Sequence, residues 1–157
     1  MRCDSLGGEP SDYSQHKWDK VVFGDKEVVV FDISPERLEL AKKLGVDEGI
    51  NTLDEDFMNQ AMAVTDGKGF GYIYETAGVT TTMKYAFELA ANKASVCFIG
   101  TPTRELNFSV KEWENINRKE FTLTGSWMSY SAPFPGKEWI LTAHYFQDRT
   151  VKNLKIL

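Results

Sequence analysis

From Val28 the chain carries four apolar residues in succession, "VVVF", before a charge at Asp32. Three of the four are β-branched, and an unbroken run of this kind predicts a strand covered on both faces, because alternation with polar residues develops only where one face meets water. The next twelve residues, 34 to 45, read "SPERLELAKKLG". Ser34 suits an N-cap and Pro35 the first helical position; Leu38, Ala41 and Leu44 share one face before Gly45 ends the helix. The alternation then repeats. "GIN" predicts a short strand, and a helix follows from Asp54 through Val64, with Phe57 and Ala61, and Met58 and Met62, four apart. After the break "DGKG" come the strand "GYIYETAG", a helix from about Thr81 to Ala91, and the strand "SVCFIGTP". Three such βα repeats predict an α/β fold of Rossmann type: an open parallel sheet with helices on both faces and ligands at the carboxyl ends of the strands.

Outside this region the pattern is weaker. Residues 1–20, "MRCDSLGGEPSDYSQHKWDK", hold neither a two-residue nor a 3.6-residue apolar period and predict loop or disorder. In the last third, "ELNFSV" predicts a short edge strand, "KEWENINRK" a polar helix, "EFTLTGSWM" a strand and "GKEWILTAHYFQD" a final helix. "VKNLKIL" is apolar enough to begin a further strand or packed segment. No internal repeat or low-complexity tract occurs.

Composition narrows the partners. A chain of 157 residues fits one domain. With 18 basic against 23 acidic residues the net charge is −5, and no stretch concentrates Lys and Arg, so nucleic acid is not an expected partner. No apolar run approaches the roughly 20 residues that span a bilayer, and the N-terminus lacks the apolar core of a signal peptide. The expectation is therefore a cytoplasmic protein with no membrane partner. Cys3 and Cys97 are far apart, and Cys97 lies in the apolar run "SVCFIG", which argues against a structural disulfide.

Asp32 stands out among the candidate chemical groups. An acidic side chain before a helix can simply favour its positive end, but Ser34 already occupies the better capping position. At the carboxyl end of a buried strand, a carboxylate can accept from both hydroxyls of a ribose, and its charge would repel the extra phosphate of NADP. Arg37 is open between a solvated first-turn arginine and a contact over the adenosine edge. "ETAG", Glu75 to Gly78, and "FIGTP", Phe98 to Pro102, put small residues at two further strand ends, where a flat ring could approach the backbone; tight turns want the same residues. The phosphate-binding G-x-G-x-x-G expected about 20 residues before such an aspartate is not found: "SLGGEP" has the wrong spacing and follows no predicted strand. Cys3, Cys97, His16 and His144 match no zinc spacing, His144 reads as a packing or surface residue, and no catalytic base or nucleophile stands out.

Three stretches carry a family resemblance: "FDISPERLELAKKLGVDEGIN", "YETAGVTTTMKYAFELAANKASVCFIGTP" and "RKEFTLTGSWMSYSAPFPGKEW". Together they resemble the cofactor domain of zinc-dependent medium-chain dehydrogenases, most of all the polyol-phosphate branch. The first motif is common to that superfamily, whereas "LTGSWM" followed by "PFPGKEW" is more specific. The resemblance implies NAD as cofactor, with Asp32 on the adenosine ribose and Arg37 on the same ribose or its phosphate. It further implies Thr76, Ala77 and Gly78 at the adenine side, and Ile99, Gly100 and Thr101 along the nicotinamide. Ser126 and Met128 would reach the carboxamide through their backbone. A homodimer through an edge strand near Leu106 to Val110 is also implied.

The resemblance begins near Val21. It implies an incomplete dinucleotide-binding domain over residues 21–157, with 1–20 a non-homologous segment and the first βα unit missing. Members of the family also hold zinc in a separate catalytic domain, for which this chain has no counterpart. Two functions compete on these grounds. One is a cofactor-binding domain fragment of an NAD-dependent, zinc-containing polyol-phosphate dehydrogenase, inactive alone, with NAD binding weak or lost and the catalytic domain encoded separately. The other is a non-catalytic dimerisation or docking module derived from that domain.

Overall fold

Asp32 and Asn51, which end two neighbouring strands, lie opposite one another in a parallel sheet whose six strands all run the same way. A computed structural model describes residues 3–6, 27–127 and 136–147 of the chain. Its strands are β1 (Cys3–Leu6), β2 (Val28–Asp32), β3 (Glu48–Asn51), β4 (Phe70–Glu75), β5 (Ala90–Phe98) and β6 (Thr122–Gly125), in the order β3-β2-β1-β4-β5-β6. The helices are α1 (Pro35–Lys43), α2 (Phe57–Val64), α3 (Thr80–Leu89), α4 (Val110–Lys119) and α5 (Lys137–Gln147). Residues 1–125 form one compact unit and residues 126–157 another, to which α5 belongs.

The chain winds outward from the centre in both directions. Because βαβ crossovers are right-handed, a helix on the β2-to-β3 path lies on the opposite face from helices on the β4-to-β5 and β5-to-β6 paths. The packing agrees: α1 lies on β2 and β3, while α2, α3 and α4 pack in succession against one another. All five residues of β2 are consequently buried, as the unbroken apolar run predicts. The core gathers Val29, Phe31, Ile50, Phe57, Phe70, Ile73, Phe87 and Val96. Phe87 on α3 is its aromatic hub, with ring centroids 5.8 Å from Phe98, 5.3 Å from Phe108 and 5.4 Å from Phe121.

The helix signals are borne out in detail for α1. Ser34 accepts from the Arg37 amide, Pro35 opens the first turn, and Gly45, with φ of +104°, closes the end in a conformation that favours glycine. For α2 the start moves from Asp54 to Phe57. The Asn51 side chain accepts from the Leu53 amide and its carbonyl from the Asp54 amide, so residues 52–56 turn before helix begins.

Two predicted features are corrected. Residues 3–6 are not loop: Cys3–Leu6 is the central strand, paired in parallel with β2 on one side and β4 on the other. The sheet's first strand is therefore present, and "GG" at 7 and 8 follows a strand after all. The physical reason is that a gap between β2 and β4 would leave two buried rows of backbone donors and acceptors, which a four-residue segment satisfies whatever its side-chain pattern. The predicted strand "ELNFSV" does not form. Residues 105–109 pair with no strand among the described residues, and Val110 already begins α4. A capping box competes for this segment: the Ser109 hydroxyl accepts from the Glu112 amide, while the Glu112 carboxylate accepts from the Ser109 amide at 2.6 Å. No helix among the described residues is long and apolar enough to cross a membrane. "VKNLKIL" lies outside the described residues.

Candidate functional site at the carboxyl rim

Parallel strands bring all their carboxyl ends to one rim. At that rim the chain reverses its winding between β1 and β4, which opens a crevice where doubly wound sheets take ligands. Leu6, the last residue of β1, is in register with Phe31 on one side and Glu75 on the other. Asp32 and the loop after Glu75 thus flank the end of β1, about 10 Å apart at two strand spacings.

Asp32 is 5% exposed. Its Oδ1 accepts from the Ser34 amide at 2.8 Å, which fixes the carboxylate against the first turn. Its Oδ2 is buried and accepts no hydrogen bond among the described residues; the Arg37 guanidinium forms an ion pair with it at 3.6 Å, beyond hydrogen-bonding range. A buried carboxylate oxygen without a donor is costly, so this atom is an acceptor suited to a hydroxyl from outside the chain. Beside it, Ile33 is 60% exposed, an apolar side chain on the rim rather than in the core. Sequence reasoning did not single it out, although an isoleucine directly after the strand-terminal aspartate is the available signal.

Across the crevice, the loops that follow β4 and β5 are pressed together. Gly78 has φ of +66°, and a Cβ there would stand 2.6 Å from the Thr101 carbonyl oxygen. A Cβ on Gly100 would stand 2.2 Å from the Gly78 nitrogen. Thr76–Gly78 and Ile99–Thr101 are therefore brought together as one double-walled edge, and the glycines are required by this crossing of backbones. Ala77 and Thr101 are exposed on it.

Glu75 is the residue that sequence reasoning missed. It is 0% exposed, and burial pushes its carboxyl above the ordinary carboxylate range, against the lowering effect of the hydrogen bonds it accepts. Those bonds come from the Thr82 hydroxyl at 2.6 Å, the Gly78 amide at 3.0 Å and the Ala77 amide at 3.1 Å. The signal was available: a glutamate ends an otherwise apolar strand, in the position Asp32 holds on β2.

Ser126 directly follows β6 and is exposed. Met128 lies outside the described residues. Cys97 is free and partly exposed, and His144 is exposed on α5. No group of three or more His, Cys, Asp or Glu suited to hold a metal occurs among the described residues. At the other end of the sheet, a groove of about 450 Å³ is lined by Met62, Lys68, Glu88, Asn92 and Lys119, away from the rim.

A doubly wound parallel sheet with an acidic residue at the end of its second strand defines the dinucleotide-binding class of α/β folds. Within that class, residues 20–141 match the model of the zinc-binding dehydrogenase family, and the chain belongs to it. It is 35% identical over 129 residues to galactitol 1-phosphate 5-dehydrogenase of Escherichia coli K12, covering 82% of this chain and 37% of that protein. The crystal structure of galactitol-1-phosphate dehydrogenase from Escherichia coli superposes with a TM-score of 0.83 at 30% identity, over 96% of this chain and 44% of that one. A structure described as a short chain alcohol dehydrogenase from Escherichia coli CFT073, complexed with NADH, shares the fold with a TM-score of 0.78 at 22% identity, over 96% of this chain and 42% of that one. The chain thus spans less than half the length of the relatives it matches.

Proposed function

We propose that this chain binds NAD at the carboxyl rim, as the cofactor-binding part of an NAD-dependent polyol-phosphate dehydrogenase. The observation that carries the reading is the buried Oδ2 of Asp32 at the end of β2, which faces the Arg37 guanidinium at 3.6 Å but accepts no hydrogen bond among the described residues. A ribose diol supplies the donor this atom lacks, with Ser34 N–H holding the other oxygen still. Arg37, half exposed beside Asp32, covers the ribose or its phosphate. The exposed Ile33 gives the adenine an apolar surface. On this reading Thr76, Ala77 and Gly78 line the adenine side, and Ile99, Gly100 and Thr101 run along the nicotinamide.

Bound NAD supplies the hydride acceptor for oxidation of a secondary alcohol on a sugar-alcohol phosphate. The described residues do not fit a zinc site, so this reading takes the metal ligands from elsewhere in the working enzyme and routes no step through them. The affinity for NAD is expected to be weak, because the stretch after β1, "GGEPSD", departs from the glycine spacing that lets a helix N-terminus approach a pyrophosphate. A homodimer through residues near 106–110 belongs to the same reading, since Leu106 and Val110 are exposed apolar side chains there. Calorimetric titration with NAD, repeated on Asp32→Asn, tests the binding claim. Sedimentation equilibrium tests the dimer.

A further inference from the structure

Residue 75 links two loops that belong to different strands. Through its side chain Glu75 holds the turn after β4, accepting from the amides of Ala77 and Gly78 and the hydroxyl of Thr82. Through its main chain it holds the loop after β5, since its carbonyl accepts from the amides of Ile99 at 2.8 Å and Gly100 at 2.9 Å. The two loops then meet at the Gly78–Gly100 crossing, where neither backbone leaves room for a Cβ on the other's glycine. An apolar residue at 75 would satisfy the sheet pairing with Phe98 equally well. A buried acid is a costly choice at that place, which points to the turn it holds rather than to the strand it ends.

We propose that Glu75 is a positioning residue for the cofactor cleft: its carboxylate sets the turn at 76–78 and, through the glycine crossing, the loop at 99–101, so that both walls keep the spacing that NAD requires. This rests on the reading of the rim as an NAD site. The carboxylate form accepts all three donors, whereas a protonated oxygen turns one acceptor into a competing donor. Among the described residues, the groups acting on it are the amides of Ala77, Gly78 and Val79 and the Thr82 hydroxyl, none of them charged. Because burial raises the Glu75 pKa, the turn loosens at a pH above that of an ordinary surface glutamate, and NAD affinity falls with it.

The test combines amide NMR with NAD titration across pH, on the full chain and on Glu75→Gln, Glu75→Leu and Thr82→Val. In the wild type, the amides of Ala77, Gly78, Ile99 and Gly100 are expected to titrate together, with a midpoint above the ordinary glutamate range. The NAD dissociation constant is expected to rise as pH falls through that midpoint. Glu75→Gln, whose amide nitrogen sets a donor where the carboxylate accepted, should remove the titration and hold NAD affinity at neutral pH near the weakened level the wild type reaches below its midpoint. Glu75→Leu should weaken NAD roughly tenfold or more, the loss of charge-assisted bonds. Should that variant not fold, Thr82→Val, which removes one donor to the carboxylate, is expected to raise the shared midpoint further and weaken NAD a few-fold. Affinity unchanged across the wild-type midpoint overturns the proposal. If the wild type binds no NAD, the function reading fails on its own; the positioning claim is then decided by the amides, and shifts confined to Ala77 and Gly78 overturn it.

Discussion

Gly100 lies so close to Gly78 that a Cβ on the former would stand 2.2 Å from the backbone nitrogen of the latter. Neither glycine marks a simple turn; each is the gap through which another loop passes. The same measure separates glycines that resemble each other in sequence. At Gly125, the end of β6, an added Cβ would meet nothing within 4 Å. Gly100→Ala is therefore expected to destabilise the chain by about 2 kcal/mol or more, and Gly125→Ala by less than about 0.5 kcal/mol. Urea unfolding of the two variants checks this, and equal midpoints would contradict the crossing.

The aromatic hub yields a second expectation. Phe87 is 1% exposed and meets Phe98, Phe108 and Phe121 face to face or tilted. Phe87→Ala should cost about 3 to 5 kcal/mol, since the rings around it cannot all close on the space left. Thermal denaturation followed by near-ultraviolet circular dichroism measures both the loss and the release of the ring cluster.

Acid sensitivity is expected at the start of α4. Hydrogen bonds from the Ser109 amide and hydroxyl, then the Lys84 ammonium 3.0 Å away, hold the Glu112 carboxyl down to about 2. A depressed carboxyl stabilises the fold above its unfolded pKa, near 4.5, and this contribution is lost as pH falls from there towards 2. Glu112→Gln should flatten the stability profile across that window and leave its shape above pH 5 unchanged. Unfolding midpoints between pH 2 and 6 provide the comparison.

Much of this fold was legible in the sequence because burial and capping write local patterns. Val28–Asp32 could be read as a strand covered on both faces from its apolar run alone, and Ser34-Pro35 located the helix start to the residue. What was not legible depends on distant partners. Cys3–Leu6 has no pattern of its own and is a strand only because β2 and β4 leave a place for it. Leu106–Val110 alternates like a strand, yet no partner within the described residues pairs with it and the Ser109 cap takes its end. At the rim, Asp32 could be singled out from its place at a strand end, and the structure adds that its buried Oδ2 accepts no hydrogen bond among the described residues. The role of Glu75 could not be read, because its five hydrogen-bonded neighbours come from two loops and a helix.

The proposed role of Asp32 on a ribose gives a further expectation. A carboxylate at the ribose position repels the additional phosphate of NADP, so Asp32→Asn should weaken NAD and narrow the gap between NAD and NADP. The asparagine oxygen can still accept from the Ser34 amide, so the melting temperature is expected to change little. Competition between the two cofactors for the variant measures the gap.

The central claim is that the carboxyl rim of this chain holds NAD through Asp32. Isothermal titration of the wild-type chain and of Asp32→Asn with NAD, taken to millimolar cofactor, tests it most directly. Saturable binding to the wild type is expected, weakened about tenfold or more in the variant, the order of a charge-assisted hydrogen bond. Absence of any heat with the wild type, or equal affinities for the two proteins, would contradict it.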